Sequence, residues 1–456
     1  MPSKEGWIIY KKWSEESGSD IVHADVLGSH IMILNSAKAA NELLENRSSI
    51  YSDRPRFIAF QLIIKHGMDF NHGILPYGDG WRRLRRAFHA HFDATTSKTY
   101  RPLEIQAVQE SFSQNLRQES MTGRIILSIA YGIDVQPEGD PYVEGAEKVL
   151  EGLSLVSSNR WVLLLDMIPW CNYPLIHMPS WFPGAGFKHE AQKWLPAMDN
   201  MIEAPYAYVK AALAAGTATP SVAATMISQL GESPTEEGVW LTKAVPGVMY
   251  LTGADTTMSS LSTFVLAMIL YPEVQRKAQV EVDSITCGSR LPDFSDFDEL
   301  PYVNAILKEV LRWHPVAPLA SPHRVMEDDV YEGHFIPAGS TIMANVWAMM
   351  HDPVIFPEPD RFLPERWLVP DPPPFPEVVF GFGRRICQGQ YMARESVWAA
   401  IVNVLATFDI SSVKGNPPKE VYSSGIISYP EEFDADIRPR SNAAAVLVRA
   451  TAFESA

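Results

Sequence analysis

"FGFGRRICQG", residues 380–389, holds one cysteine, Cys387, between Gly383 and Gly389, with Arg384 and Arg385 just ahead of it. The other two cysteines, Cys171 and Cys287, are both distant in sequence, so the stretch does not read as half of a disulfide. No CxxC or HxxxH spacing lies near it to suggest a zinc ribbon. What remains is a thiol that acts alone or one that only packs. A helix expected over 389–407 begins just after it, and the free N–H groups and positive dipole end there favour thiolate over thiol.

The composition narrows the field. The chain has 456 residues with a formal charge of −16, which excludes a general nucleic-acid binder, because phosphate contacts need clustered cations. Three cysteines suit a reducing compartment. The N-terminal "MPSKEGWIIYKKW" lacks the apolar run of a signal peptide. No stretch reads as a membrane span. The apolar run after Asp255 continues a helix that carries that acid, and 167–187 is broken by Pro169, Pro174, Pro179 and Pro183.

Along the chain, "IVHADVLGSHIMIL" (21–34) alternates around Gly28-Ser29 and predicts a β-hairpin, followed by a helix over 36–47 with Ser36 at its N-cap. Helical periodicity is clearest at 81–92, 101–117, 143–157, 187–213, 245–269 and 301–314. The aromatic, proline-rich 161–187 reads as an irregular connection, and 351–379 as a meander that proline keeps out of helix and sheet. With no repeat or flexible linker, the expectation is a mainly α (α+β) single domain over 1–456. Its β-rich pieces are expected at about 1–35, 325–346 and 421–448, and its helical core at about 36–323 and 389–407.

Gly383 and Gly389 lack side chains, so a large flat ligand could approach that backbone closely, and the arginines favour anions. A soft anionic sulfur on a tight loop suits the single axial ligand of heme iron. Phe380, Gly383, Arg385, Cys387 and Gly389 together match F-x-x-G-x-R-x-C-x-G, which resembles the cysteine loop of the cytochrome P-450 superfamily. Chance would produce that match in roughly one chain in ten thousand of this length.

Four further segments, "WRRLRRAFHAHF", "TGADTTMSS", "EVLR" and "PERW", resemble the same superfamily in its order, and "SPHR" adds to them. "WRRLRRAFHAHF" sets Trp81, Arg85, Phe88 and Phe92 on one helical face, and the resemblance makes Trp81 and Arg85 ligands of a heme propionate. "TGADTTMSS" places Thr256 and Asp255 in the long apolar helix. There the resemblance implies an oxygen-binding notch, with Thr256 donating a hydrogen bond to dioxygen and Asp255 relaying protons. "EVLR" and "PERW" supply Glu309, Arg312 and Arg366, a buried Glu–Arg–Arg scaffold in the family. His323 in "SPHR" occupies a second propionate position, with Arg324 the competing choice. The wording of "SIAYGID" and "WFPGAGFK" is most similar to the microsomal enzymes of basidiomycete fungi.

The resemblance implies a heme-thiolate monooxygenase that holds heme b (iron protoporphyrin IX) on Cys387. It would take electrons from NADPH through an NADPH-cytochrome P-450 reductase, with cytochrome b5 as a further donor. The surplus arginines Arg82, Arg83 and Arg86 would steer that donor to the cysteine side. The expected reaction is oxidation by O2 of an apolar fungal secondary metabolite such as a terpenoid, at the cytoplasmic face of the endoplasmic reticulum membrane. Residues 57–70, Met249, Gly253, Ala254, Val316, Ala317, Leu319 and Ile426 are the expected pocket. Such fungal enzymes begin with a membrane-spanning helix and a proline-rich hinge, and this sequence starts about where the folded domain is expected. Residues 113–125 read as shorter than the family pattern. Two alternatives use the same fold: a peroxide-driven oxygenase or hydroperoxide isomerase, against which Asp255-Thr256 argues, and a non-catalytic heme-binding protein.

Overall fold

The turn expected at Gly28-Ser29 forms one residue earlier. Strands β1 (Ile21–Val26) and β2 (Ser29–Leu34) pair antiparallel from Ile21↔Leu34 to Val26↔Ser29. Both loop residues, Leu27 and Gly28, take positive φ (53° and 87°), the two-residue turn whose twist matches the strands. Asp25 steadies it by accepting the Gly28 N–H at 2.9 Å. The computed structural model describes residues 4–56, 69–113, 118–136, 139–158 and 186–451.

β2 also pairs in parallel with a strand more than three hundred residues later. After β3 (His323–Arg324), β4 (Asp329–Tyr331) and β5 (His334–Ile336) make a hairpin, and β6 (Thr341–Ala344) then joins β2 through Ile31↔Thr341 to Leu34↔Ala344. β3 closes the sheet in the order β1-β2-β6-β3. β7 (Phe408–Ser412) and β8 (Ala435–Pro439) form a separate pair.

Two terminal segments expected to be β-rich carry helix instead. Gly6–Ser17 is helical, burying only Trp7 and Tyr10 and ending at Gly18 with φ 62°. Its apolar face is too short for a period to show. At the other end Asn442–Ala450 is helical, because Ser441 accepts the Ala444 N–H at 3.0 Å and an alanine run follows. The segment 36–47 starts as expected, with Ser36 accepting the Ala39 N–H, then widens over Asn41–Asn46 until Arg47 N–H bonds to the Glu42 carbonyl, five residues back.

The helical body contains Asp79–Phe92, Arg101–Ser113, Gln118–Tyr131, Pro141–Ser158, Gly186–Ala215, Glu236–Leu270, Pro272–Thr286, Pro301–Trp313 and Gln390–Thr407. The irregular connection at 161–187 lies almost wholly outside the described residues, as does the end of the 101–117 helix. The long helix starts nine residues before the expected 245. Thr235 caps it through the Gly238 N–H, and Glu236 and Glu237 complement its dipole. Its middle is apolar on every side because it is packed on every side, including against Gln118–Tyr131 and Gln390–Thr407. Among the described residues this is the one helix long and apolar enough to cross a membrane, and it is the core.

One buried acid gives a pH-dependent stability. Glu104 is fully buried; its Oε1 accepts the Ser396 hydroxyl at 2.7 Å while Oε2 has no partner. Burial pushes its pKa up to about 8 from 4.5. The carboxyl is therefore harmless below about pH 4.5, and stability falls as pH rises toward 8, by roughly 3 kcal/mol at pH 7. Glu104→Gln keeps the acceptor without the charge. It is expected to raise the melting temperature at pH 7.5 and to change it little at pH 5. An equal effect at both pH values in thermal melts would mean that Glu104 titrates normally.

Candidate active site

The Cys387 loop is closed by its own backbone: Cys387 N–H donates to the Phe380 carbonyl at 2.8 Å, and Gly389 opens the helix Gln390–Thr407. The Cys387 side chain is accessible from within the fold: it lines two adjoining cavities of about 210 and 250 Å3 and is absent from the arginine-lined concavity outside them. Burial pushes the thiol pKa up, while the Gly389 N–H, Arg85 and Arg394 pull it down. The helix-terminus effect expected from sequence is thus present and outweighed. A cation on the sulfur reverses that balance, since a coordinating thiol is deprotonated outright.

Three guanidinium groups line these cavities. Arg385 is anchored by the carbonyls of Ser52, His72 and Leu75 at 2.7, 3.0 and 2.8 Å and lies over the Trp81 ring. Arg85 donates to the Ile386 carbonyl at 2.9 Å, and Arg54 to the carbonyls of Gly73, Ser321 and Pro322. Burial lowers the pKa of all three: Arg385 to about 8, with Arg54 as the next cause, and Arg85 and Arg54 to about 10. Trp81 Nε1 and His72 Nδ1 also face this space, buried and without partners. Among the described residues, no carboxylate lines either cavity.

Such a site calls for an anionic, acceptor-rich occupant with a metal for the thiol. Heme b, with two carboxylates and an iron, fits that donor set. Cys387 would ligate its iron, and Arg85, Arg385, Arg54 and Trp81 would hold its carboxylates.

His323 lines the second cavity; its Nδ1 is 2.8 Å from the Tyr51 carbonyl, and burial holds its pKa far down, so it is neutral. Arg324, the competing choice, is drawn off to Asp53 at 3.1 Å and lines neither cavity. Phe380 lines the second cavity and Gly389 the first. Gly383 lines neither. A Cβ there would lie 2.2 Å from the Leu44 carbonyl oxygen, so this glycine serves a backbone contact on the outer side of the loop rather than a ligand.

On the long helix, Thr252 and Thr256 both bond back to carbonyls four residues earlier, Thr256 Oγ1 to Thr252 O at 2.8 Å. Such bonds loosen a helix from within. Met249, Gly253 and Thr256 face the first cavity, and Val316 and Ala317 the second. Asp255 and Ala254 face away from both, into a separate cleft, because adjacent helix residues point about 100° apart. Two other expected pocket residues are also elsewhere: Leu319 packs against Tyr10 and Ile31, and Ile426 is half exposed. Phe70 is buried in the core, and 57–68 lie outside the described residues.

Behind the loop, Glu309, Arg312 and Arg366 form one buried cluster. Arg312 grips the Glu309 carboxylate with Nε and Nη2, both at 2.9 Å, and Arg366 Nε reaches it at 3.1 Å. Trp367 Nε1 and Leu363 N–H complete the carboxylate's shell at 3.0 and 2.8 Å. The surplus arginines are partly spoken for, Arg82 by Asp79 and Arg83 by Glu237. With Arg86 and His89 they ring an outer concavity floored by Gln388 and Trp81, on the cysteine side.

Arg54, His72 and Gln388 are site residues that sequence reading missed. Of these only Gln388 lies in a stretch that the sequence reading singled out, "FGFGRRICQG".

The cytochrome P450 family model matches residues 8–435. The chain belongs to the cytochrome P450 family and is an oxidoreductase of the monooxygenase class, a family built around heme. It is 39% identical to a cytochrome P450 monooxygenase, eriA, of Hericium erinaceus, over 98% of this chain and 88% of the relative. It is 36% identical to the tryptamine 4-monooxygenase of Psilocybe cyanescens, over 97% and 90%. A zebra fish cytochrome P450 solved with abiraterone has the same fold, with TM-score 0.75 at 20% identity over 96% of this chain and 100% of that one.

Proposed function

We propose that this chain oxidises an uncharged, largely apolar fungal secondary metabolite such as a terpenoid, using O2 and electrons that reach it from NADPH through a reductase. The carrying observation is the cavity wall. Leu311, Val316, Ala317, Ala320 and Val397 line the second cavity with no carboxylate among the described residues, which favours a neutral substrate over a cationic amine. When bound, heme supplies the activation of O2.

The chain's own residues do the rest. The apolar walls hold a C–H group in place and exclude bulk water. Thr256 presents its hydroxyl to the first cavity, where it holds a proton for transfer, and Asp255 resupplies it. The arginine-ringed concavity on the cysteine side suits an acidic electron-donor protein, a reductase or cytochrome b5. A membrane surface on the endoplasmic reticulum's cytoplasmic face is supported by exposed Ile8, Trp13, Leu27 and Phe335, of which Trp13 and Phe335 border one groove.

The deciding experiment adds a panel of terpenoids and, separately, tryptamine to the heme-loaded protein and follows the Soret spin-state shift. Turnover is then measured with NADPH and reductase. Terpenoid shifts with NADPH-dependent product support the reading. Shifts with tryptamine alone, or product with peroxide but not NADPH, would replace it. Thr256→Ala is expected to lower product formed per NADPH by roughly tenfold or more, with peroxide released instead. Undiminished coupling would take Thr256 out of the proton path.

A further inference from the structure

On its own side of the long helix, the Asp255 carboxyl accepts a hydrogen bond from the Tyr429 hydroxyl, which also lies 3.4 Å from the Asp255 carbonyl oxygen. Tyr429 stands on a turn that is pinned from several directions. Ser423 N–H donates to the Tyr429 carbonyl at 2.8 Å, and Tyr429 N–H to Ser423 Oγ at 3.0 Å. The Ser428 N–H is held by the Val316 carbonyl at 2.8 Å, and the Ser428 carbonyl by the Ser259 hydroxyl at 2.6 Å. Ser259 is one helical turn beyond Asp255, so the turn docks along the same face that carries the acid. His314, stacked on Tyr422 and held neutral by burial that lowers its pKa to about 3, meets Ser428 Oγ at 3.0 Å.

Asp255 also borders a cleft of about 240 Å3 that includes Thr122, Glu147, Tyr250 and Met258. Glu147, on the helix Pro141–Ser158, is exposed, so this cleft reaches solvent. Tyr250 uses its hydroxyl on the Tyr142 carbonyl at 2.9 Å. Arg124, the nearby cation of helix Gln118–Tyr131, is committed to Glu110 and Asp134. Burial raises the Asp255 pKa, and the Tyr429 hydrogen bond opposes it.

We propose that Tyr429 is the positioning residue for proton delivery: its hydroxyl fixes the Asp255 carboxyl at the inner end of this side cleft and sets how readily it takes up a proton. The proposal rests on the monooxygenase reading above, since it concerns the acid that would feed Thr256. The bond occupies Oδ1 and leaves Oδ2 for exchange with the cleft. A carboxyl in a single orientation on a rigid platform delivers protons at a set rate, whereas one free to swing does not. The hydroxyl stabilises the ionised form, so its removal raises the proton affinity and keeps the acid protonated to higher pH.

Tyr429→Phe keeps the ring and every backbone bond of the turn. The first readout needs no turnover: the infrared carbonyl band of protonated Asp255, assigned by its loss in Asp255→Asn, titrated against pH. Its midpoint is expected to move up by about one pH unit or more in Tyr429→Phe. Ser259→Ala, which keeps the Tyr429 hydroxyl but removes one of the ties that hold its turn, should give a smaller shift in the same direction. The second readout is product per NADPH, expected to fall by roughly threefold or more with a shifted pH profile. An unchanged midpoint in Tyr429→Phe overturns the proposal, even where the parent turns over normally. A shifted midpoint in a protein without NADPH-driven turnover supports the positioning and overturns the reductase-fed reading instead.

Discussion

Cys387→Ser is expected to abolish both the strongly red-shifted Soret band of the dithionite-reduced, CO-bound protein and all NADPH-driven oxidation. The oxygen of serine is smaller than sulfur and neither soft nor readily ionised, so it cannot donate electron density to a metal as a thiolate does. The change should leave the fold intact. Cys387 touches the interior cavity, and the loop is held by the Cys387 N–H to Phe380 bond and by the three carbonyls that anchor Arg385, none of which involves the sulfur. Circular dichroism and melting of the heme-free protein should match the parent. A variant that keeps the red-shifted band would remove Cys387 as the ligand.

The second large effect is structural. Glu309→Ala strips the shared acceptor from Arg312 and Arg366, which are 0% and 6% exposed. Both cations would keep their carbonyl partners, Met350 and Arg361 for Arg312 and Pro357 and Glu358 for Arg366, but neither would keep a counter-charge. Breaking a buried pair in this way costs about 3–5 kcal/mol. Against a typical stability of about 5–15 kcal/mol, that is enough to lose most folded protein at moderate temperature. The expected result is a steep drop in soluble yield and in the urea midpoint, with heme lost at the same denaturant concentration as structure. A midpoint equal to the parent's would show that the cluster contributes no stability.

What the sequence revealed follows from how local each signal is. The cysteine loop, the Trp81–Arg85 helix face and the Glu309–Arg312 pair each sit within a dozen residues, so spacing alone displays them. Arg54, His72 and Tyr429 do not, because the cavity and the Asp255 site are assembled from segments hundreds of residues apart. A lone arginine or tyrosine in a loop has no period to betray it. Gly383 misled for another reason: a motif says that glycine is needed but not against what, and here the neighbour is the Leu44 carbonyl. The different facing of Asp255 and Thr256 was in principle legible, since adjacent helix residues point about 100° apart. The β-rich reading of both termini failed where short helices depend on a cap or on two aromatic anchors, Ser441 at one end and Trp7 with Tyr10 at the other.

The contact between Gly383 and Leu44 also orders the birth of the molecule. The loop that carries Cys387 is shaped against a helix from the first tenth of the chain, and β2 waits for β6 in the same way. Contacts this distant are slow to close, because the whole intervening chain must first be gathered in. While the ribosome is still adding residues, the early half can condense into helices and already carries Arg54, Trp81 and Arg85, but it lacks the thiol of Cys387. Ligation through Cys387 therefore has to wait until more than four fifths of the chain has been made. Until then β2 presents an open parallel edge and the future cavity walls lie uncovered, a surface that invites aggregation and that a chaperone would have to shield.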